Sequence, residues 1–447
     1  MRRILQILVV SSLLLLPIAA FAAASHFNHD VGDAGLMPRL QALLGLIVMI
    51  AACWYGRERK PGQVFPWRVV ISGTILQLVF AALVLKSPLA NRFFSWVNDA
   101  FVALMNFSND GAKFLFGDLI NGTAVVAFSV LPTIIFFSSL MTVGYHTGVM
   151  VKLVRFTARF LAKFMGTSGA ESLSTVGNIF LGQTEAPLMV RPFLPKMTRS
   201  ELHCIMVGGF GTVAGGVMAA YVGMLHNQFP DIAGHLLAAS IMAAPATVLV
   251  SKLLVPETEI PETGADAKIE VPKIHENVID AAAAGAAEGM TLTLNVAAML
   301  IAFIALVSLG NALVSWSFTL VGVQDMTMQK IFGWVFTPVA WLIGISPEES
   351  PAVGVFLGVK IVLNEFVAYL DLAKNLASTT PLSPRATIIT AYALCGFANF
   401  SSIAIQIGGI AGMAPERRKD LATLGIRAML GGSVVGYMTG GLAGLFV

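Results

Sequence analysis

Residues 177–195, GNIFLGQTEAPLMVRPFLP, limit the possible folds more than any other stretch. They are apolar on both flanks and polar in the middle, at Gln183, Thr184 and Glu185. An ionisable carboxyl inside a hydrophobic segment is costly in a bilayer, and where one persists it marks a functional site. Gly182 just before the cluster and Pro187 just after it interrupt a helix. The apolar arms, about ten residues each, are too short to cross a hydrocarbon core that needs about 20. The stretch is therefore expected to enter the membrane and return on the same side, with its polar tip at mid-depth. Irregular backbone survives there only under cover of protein or a wet cavity. The alternative is a Gly/Pro-kinked helix whose Glu185 pairs with a neighbouring helix.

The composition agrees. Hydrophobic residues make up 56% of the 447 and charged residues 12%, about half the usual charged share. That is the balance of a polytopic α-helical membrane protein. A formal net charge of +3, with no basic cluster interleaved with aromatics, argues against nucleic acid as a partner. Cys53, Cys204 and Cys395 lie singly in apolar segments, without a CxxC or a nearby histidine set. They read as small core hydrophobes, not as a disulfide or a metal site.

Residues 1–24 carry Arg2 and Arg3, an apolar run and Ala20-Phe21-Ala22, the pattern of a signal peptide; an uncleaved anchor helix is the alternative. Residues 25–145 are expected to be N-terminal scaffold helices. A span over 40–55 ends in Arg57, Arg59, Lys60 and Arg68, which marks the inner side. The chain returns over 69–85, lays an amphipathic helix on the outer interface within 88–118, and crosses inward over 121–145 with a kink at Pro132.

Residues 146–255 are expected to form the first half of a two-part unit. They hold a cationic amphipathic helix (Lys152, Arg155, Arg159, Lys163, backed by Phe156, Phe160 and Phe164), the hairpin, and a span over 203–225. The middle of that span, GGFGTVAGG at 208–216, either packs closely against another helix or is unwound and offers carbonyls to an ion. A span over 236–254 closes this half. Residues 256–290 comprise a polar linker over 256–275 and an Ala-rich interfacial helix over 278–288, and 291–320 a further scaffold helix.

Residues 321–447, the second half, repeat the pattern. An aromatic interfacial helix over 328–344 precedes VGVFLGVKIVLNEFVAY at 353–369, where Asn364 and Glu365 sit between apolar arms. The segment 386–413 is apolar but interrupted by FANFSS at 397–402; PERRKD at 415–420 turns on the inner side and 421–447 exits. Residues 165–187 parallel 343–366, and the cations place the first hairpin's entry inside and the second's outside. This is an inverted-topology repeat, the architecture of secondary transporters with a midplane site built from broken helices. The expected fold is an all-α polytopic membrane protein with about eight transmembrane helices plus two re-entrant hairpins in an inverted repeat.

Gln183, Thr184, Glu185, Glu365, Asn399 and Ser402 would meet at the midplane. Such a set suits a neutral, polyhydroxylated, hydrogen-bonding solute. Two carboxylates without an Arg partner repel an anion; they bind hydroxyl or amino donors, balance a co-transported cation, or titrate, so proton coupling stays open. No HExxH, GxSxG or Ser/His pair lies inside an apolar span to suggest an intramembrane enzyme, and His146, His203, His226 and His235 fall near span ends. A channel would need a continuous polar stripe, whereas the polar residues gather at hairpin tips and helix breaks.

GQTEAP at 182–187, LNEFVAY at 363–369 and CGFANFSSIAIQIGG at 395–409 resemble the signatures of the concentrative nucleoside transporters, and the resemblance runs from about residue 125 to the C-terminus. It implies a homotrimer in the cell inner membrane, each protomer with a scaffold and a moving transport part. It implies nucleoside uptake driven by Na⁺, or by H⁺ in some members, with no organic cofactor. By motif match, Gln183, Thr184 and Glu185 would face the nucleobase, with Val217 lining the base side. Glu365, Asn399 and Ser402 would hold the ribose hydroxyls, with Phe397 packed close by. The family's Na⁺ site maps to Asn178, Leu181, Thr212 and Val213, with carbonyls from the last three and side-chain oxygens from Asn178 and Thr212. Those two oxygens are retained, which favours Na⁺. The signal-like N-terminus departs from the family and bears only on how the first span inserts.

Overall fold

The computed structural model describes residues 35–61, 63–121, 126–265, 275–324 and 326–447; the signal-like segment 1–24 and residues 266–274 of the linker lie outside them. Among the described residues there are sixteen α-helices and no strand. An apolar chain in lipid must satisfy its backbone internally, and the helix does so within each segment.

The N-terminal part is α1 (Leu36–Tyr55), α2 (Trp67–Lys86) and α3 (Pro88–Phe116). A π-helical turn, Val126–Val130, leads into α4 (Leu131–His146). Pro132 lies in the first turn of α4, where a missing N–H costs no hydrogen bond. The kink expected at Pro132 is thus a helix start after a wide turn. α5 (Val149–Met165) is bent 74° from α4. Gly148 turns the corner at φ +79, a left-handed value that other residues seldom adopt. Val154, Ala158, Leu161 and Met165 form the buried stripe of α5, while Phe156, Phe160 and Phe164 point outward.

The first hairpin is α6 (Gly169–Gly177), an irregular tip and a 3-10 segment, Ala186–Lys196. α7 (Arg199–Gly211), α8 (Gly215–Leu225) and α9 (Ile232–Leu254) follow, then the long α10 (Val278–Thr319) and α11 (Met328–Leu342). The second hairpin is α12 (Ser350–Val362) and α13 (Glu365–Leu376). α14 (Pro384–Leu394) and α15 (Phe400–Met413) form a second broken helix, and α16 (Arg418–Phe446) ends the chain. The order of amphipathic helix, polar-tipped hairpin, broken helix and long helix therefore occurs twice.

Six segments among the described residues are long and apolar enough to cross a membrane, or seven if the bent pair α4 and α5 counts as one. The difference from the expected eight has a structural reason. α4 has only 16 residues, and 386–413 is divided between α14 and α15. The most apolar stretches of α7–α8, α9 and α16 are 89–94% buried, against 6% for α10. The core therefore sits around the broken helices, and α10 runs along its side.

α10 corrects one expectation. The interfacial helix over 278–288 and the span over 291–320 are one helix of 42 residues, ~63 Å long at 1.5 Å per residue. Gly285 and Gly289 do not break it, because they are its contact points with α4. A Cβ on Gly285 would lie 2.6 Å from Thr142 Oγ1, and one on Gly289 2.7 Å from the Cα of Ile135. The Ala-rich segment is a close-packing face of the kind membrane helices use in place of a hydrophobic drive. Gly289→Leu is expected to force α10 off α4 and to cost about 1–3 kcal/mol through overpacking. Thermal unfolding in detergent measures it, with Leu294→Ala on the exposed face of the same helix as the neutral comparison.

Lys252, near the end of α9, is buried. Its Nζ lies 2.8 Å from Glu171 Oε2 at the mouth of the first hairpin and 3.2 Å from Glu257, and it donates to Ser200 Oγ at 3.0 Å. Glu171 also closes a capping box with Ser168 at the start of α6, and Glu201 does the same with Thr198 at the start of α7. The hairpin entry is thus pinned to α9 by an ion pair.

Candidate functional site

The tip of the first hairpin is irregular because α6 stops at Gly177 and Pro187 lies in the first turn of the 3-10 segment. Gln183, Thr184 and Glu185 are held between these two ends. The tip packs onto α7 through Gly209, where a Cβ would lie 2.9 Å from the Cβ of Gln183 and 2.6 Å from Gln406 Nε2. The glycine-rich span combines close packing with a break, at different residues. Gly208 and Gly209 give close approach, and 212–214 is the unwound break between α7 and α8.

In the second hairpin, Asn364 caps α13 by accepting from Val367 N at 2.9 Å, which leaves Glu365 as the first helical residue. A helix N-terminus favours a carboxylate there. Asn399 caps α15 in the same way, accepting from Ser402 N at 2.9 Å and from Ser401 Oγ at 2.7 Å. Its amide nitrogen donates to Glu365 Oε2 at 3.0 Å, and Tyr221 OH donates to Glu365 Oε1 at 2.9 Å. Tyr221 is itself fixed by stacking on Tyr369, ring centroids 4.5 Å apart. Gln183 bridges the two halves, donating to Ser402 Oγ at 3.3 Å and accepting from Gln406 Nε2 at 3.1 Å. Thr184 Oγ1 donates to Glu185 Oε1 at 3.1 Å, and Glu185 Oε2 is buried without a partner among the described residues.

Between the two tips lies a cavity of about 420 Å³, within the ordinary range of small-molecule sites. All the residues expected to touch substrate line it: Gln183, Thr184, Glu185 and Val217 on one side, Glu365, Phe397, Asn399 and Ser402 on the other. The sequence reading missed a third wall, from α10, which brings Glu288, Thr291 and Asn295. Their spacing of three and four residues puts them on one helix face, and that pattern was readable. Tyr221 and Gln406 were missed because each acts through a partner far away in the chain.

The residues expected to hold a cation lie behind the tip. Asn178 is fully buried; its Nδ2 donates to Ser174 O at 3.1 Å, and its Oδ1 has no partner among the described residues. Its amide lies against Gly208, and Thr212 Oγ1 donates to Gly208 O at 2.9 Å, so both side chains converge on one turn of α7. Gly215 N donates to Phe180 O at 3.0 Å, which straps the turn next to Leu181 onto the break that holds Val213. The donors are hard neutral oxygens, and no group of three or more His, Cys, Asp or Glu residues suited to a metal occurs among the described residues. An orphaned buried oxygen in such a set fits a monovalent hard cation.

Comparison with known proteins gives a consistent result. Residues 235–444 match the family described as the C-terminus of the Na⁺ dependent nucleoside transporter, 44–119 match its N-terminus, and 127–228 match a gate described as nucleoside recognition. An uncharacterized transporter of Haemophilus influenzae is 44% identical over 421 residues, covering 92% of this chain and 98% of that one. Sodium/nucleoside cotransporter 1 of Mus musculus is 38% identical over 420 residues, covering 91% of this chain and 64% of that one. The structure of CNTnw in an inward-facing substrate-bound state aligns with a TM-score of 0.85 at 42% identity, covering 92% and 98%. A CNTnw variant in an outward-facing state gives 0.86 at 42% identity, with the same coverage.

Proposed function

The chain belongs to the Na⁺ dependent nucleoside transporter family, and from that premise we propose that it is a symporter importing nucleosides across the inner membrane with Na⁺ as the coupling ion. The observation that carries this reading is the convergence of both hairpin tips and both helix breaks on one cavity, with Glu365 oriented there by Tyr221 and Asn399. Glu365, Asn399 and Ser402 take the ribose hydroxyls. Gln183, Thr184 and Glu185 read the base, with Val217 and Phe397 supplying apolar contact. The halves 146–255 and 321–447 carry the substrate past the scaffold helices of 25–145 and 291–320, in a homotrimer whose other subunits or lipid cover the apolar face of α10.

Na⁺ binds among Asn178, Leu181, Thr212 and Val213, and the unpartnered Asn178 Oδ1 supports that placement. Removing an oxygen from a hard cation weakens its site. Asn178→Ala and Thr212→Ala are therefore expected to raise several-fold the Na⁺ concentration needed for half-maximal uptake in proteoliposomes. Uptake that is unchanged without Na⁺ and collapses with a protonophore makes H⁺ the coupling ion, with a cavity carboxylate as its carrier. Glu185→Gln is expected to shift the preference among bases while leaving the demand for sugar hydroxyls intact, read by competition between uridine, adenosine and 3′-deoxyuridine.

A further inference from the structure

A second cavity, of about 310 Å³, adjoins the first. Glu185, Leu188 and Glu288 line both. Its opposite wall comes from the end of α4 and the start of α5, with Tyr145, His146, Lys152 and Arg155. Its charged lining is two carboxylates, both shared with the substrate cavity, and two cations with two imidazoles, His146 and His275, that are not shared. Tyr145 OH, His146 Nδ1, Arg155 Nε and Glu185 Oε2 are all buried without a hydrogen-bond partner among the described residues. These atoms are closed off from the cavity, so a ligand there would meet the remaining surface of the same side chains. Carboxylates accept from the N–H and O–H groups of a base and sugar, and a guanidinium with an ammonium holds phosphate. The cations of α5 also mark this end as cytosolic.

We propose that the second cavity is a site for a phosphorylated nucleoside, such as a nucleoside 5′-monophosphate, entered from the cytosol. Its phosphate lies on Lys152, Arg155 and His146, and its nucleoside end points to Glu185 and Glu288. The proposal rests on the nucleoside reading of the adjoining cavity. Phosphoryl transfer to an imported nucleoside produces such a ligand, and its occupancy beside Glu185 opposes further transport. A phospholipid headgroup shares the phosphate chemistry. Continuity with the nucleoside cavity favours the nucleotide.

The test is calorimetry on the purified full chain in neutral detergent, with uridine, uridine 5′-monophosphate and inorganic phosphate. The nucleotide is expected to bind the wild type and to bind Arg155→Gln at least tenfold more weakly, while uridine binds both alike. Glu365→Gln is expected to do the reverse, weakening uridine and sparing the nucleotide. If uridine binds and the nucleotide does not, or if the nucleotide binds Arg155→Gln unchanged, the second site is overturned and the first reading stands. If the nucleotide binds and uridine does not, the second site stands and the reading of the first falls. Should Arg155→Gln lose uridine as well, Lys152→Gln at the cavity mouth decides: several-fold weaker nucleotide binding supports the site, and unchanged binding overturns it. The wild type is repeated in nanodiscs of phosphatidylcholine with and without phosphatidylglycerol. Loss of nucleotide binding on adding the anionic lipid assigns the site to a headgroup and overturns the nucleotide.

Discussion

Glu365→Gln is expected to weaken nucleoside binding by roughly tenfold or more, since each 1.4 kcal/mol is about a factor of ten. Both oxygens of Glu365 accept hydrogen bonds, from Tyr221 and from Asn399. Glutamine keeps one acceptor and turns the other position into a donor, which then faces a donor. Hydrogen bonds to a charged group contribute about 1.5–3 kcal/mol, and an unsatisfied buried group costs about 1–3. A sugar hydroxyl held by Glu365, as proposed, would lose its charged acceptor in the same change. A site built to bond a hydroxyl rejects the analogue that lacks it, so the wild type should favour uridine over 3′-deoxyuridine and Glu365→Gln should lose much of that preference. Tyr221→Phe removes one donor and leaves the carboxylate, so a smaller, several-fold loss is expected. Competition binding of the two nucleosides to all three proteins decides it; unchanged discrimination in Glu365→Gln removes Glu365 from the site.

Lys252→Met is expected to be the most destabilising of the substitutions considered. It leaves Glu171 charged, buried and deprived of the ammonium 2.8 Å away. Breaking a buried pair by removing one partner costs about 3–5 kcal/mol, whereas removing both charges together is often near neutral. The double change Lys252→Met with Glu171→Gln should therefore recover much of the loss. Thermal unfolding in detergent measures this. Equal melting temperatures for wild type and Lys252→Met would mean that the pair does not hold the hairpin entry.

What was legible in the sequence was what is rare in lipid. A Glu between apolar arms is exceptional, so both hairpin tips could be placed, and Gly182, Pro187 and the FANFSS interruption located the breaks. The contacts between those tips were not legible. Tyr221 and Glu365 are 144 residues apart in the chain, and Gln183 and Gln406 are 223 apart; nothing local to either member announces the pair. Glycine was ambiguous for a physical reason: the same residue type breaks a helix, as near 212–214, and lets one pack closely, as at Gly285 and Gly289. Taking 278–288 and 291–320 as separate helices hides the polar face of α10, Glu288, Thr291 and Asn295. The burial of Lys252 is not legible either, because a lysine near a span end looks the same in sequence whether it is solvated or paired in the interior.

The central claim is that the cavity between the two hairpins binds a nucleoside as base plus sugar and that Na⁺ drives its entry. Uptake of labelled uridine into proteoliposomes containing the purified chain tests it most directly, with an inward Na⁺ gradient, without one, and with excess unlabelled uridine or free uracil. Saturable accumulation above the external concentration is expected only with the Na⁺ gradient, abolished by uridine and barely affected by uracil. Accumulation that ignores the Na⁺ gradient, or that uracil blocks as well as uridine does, would contradict it.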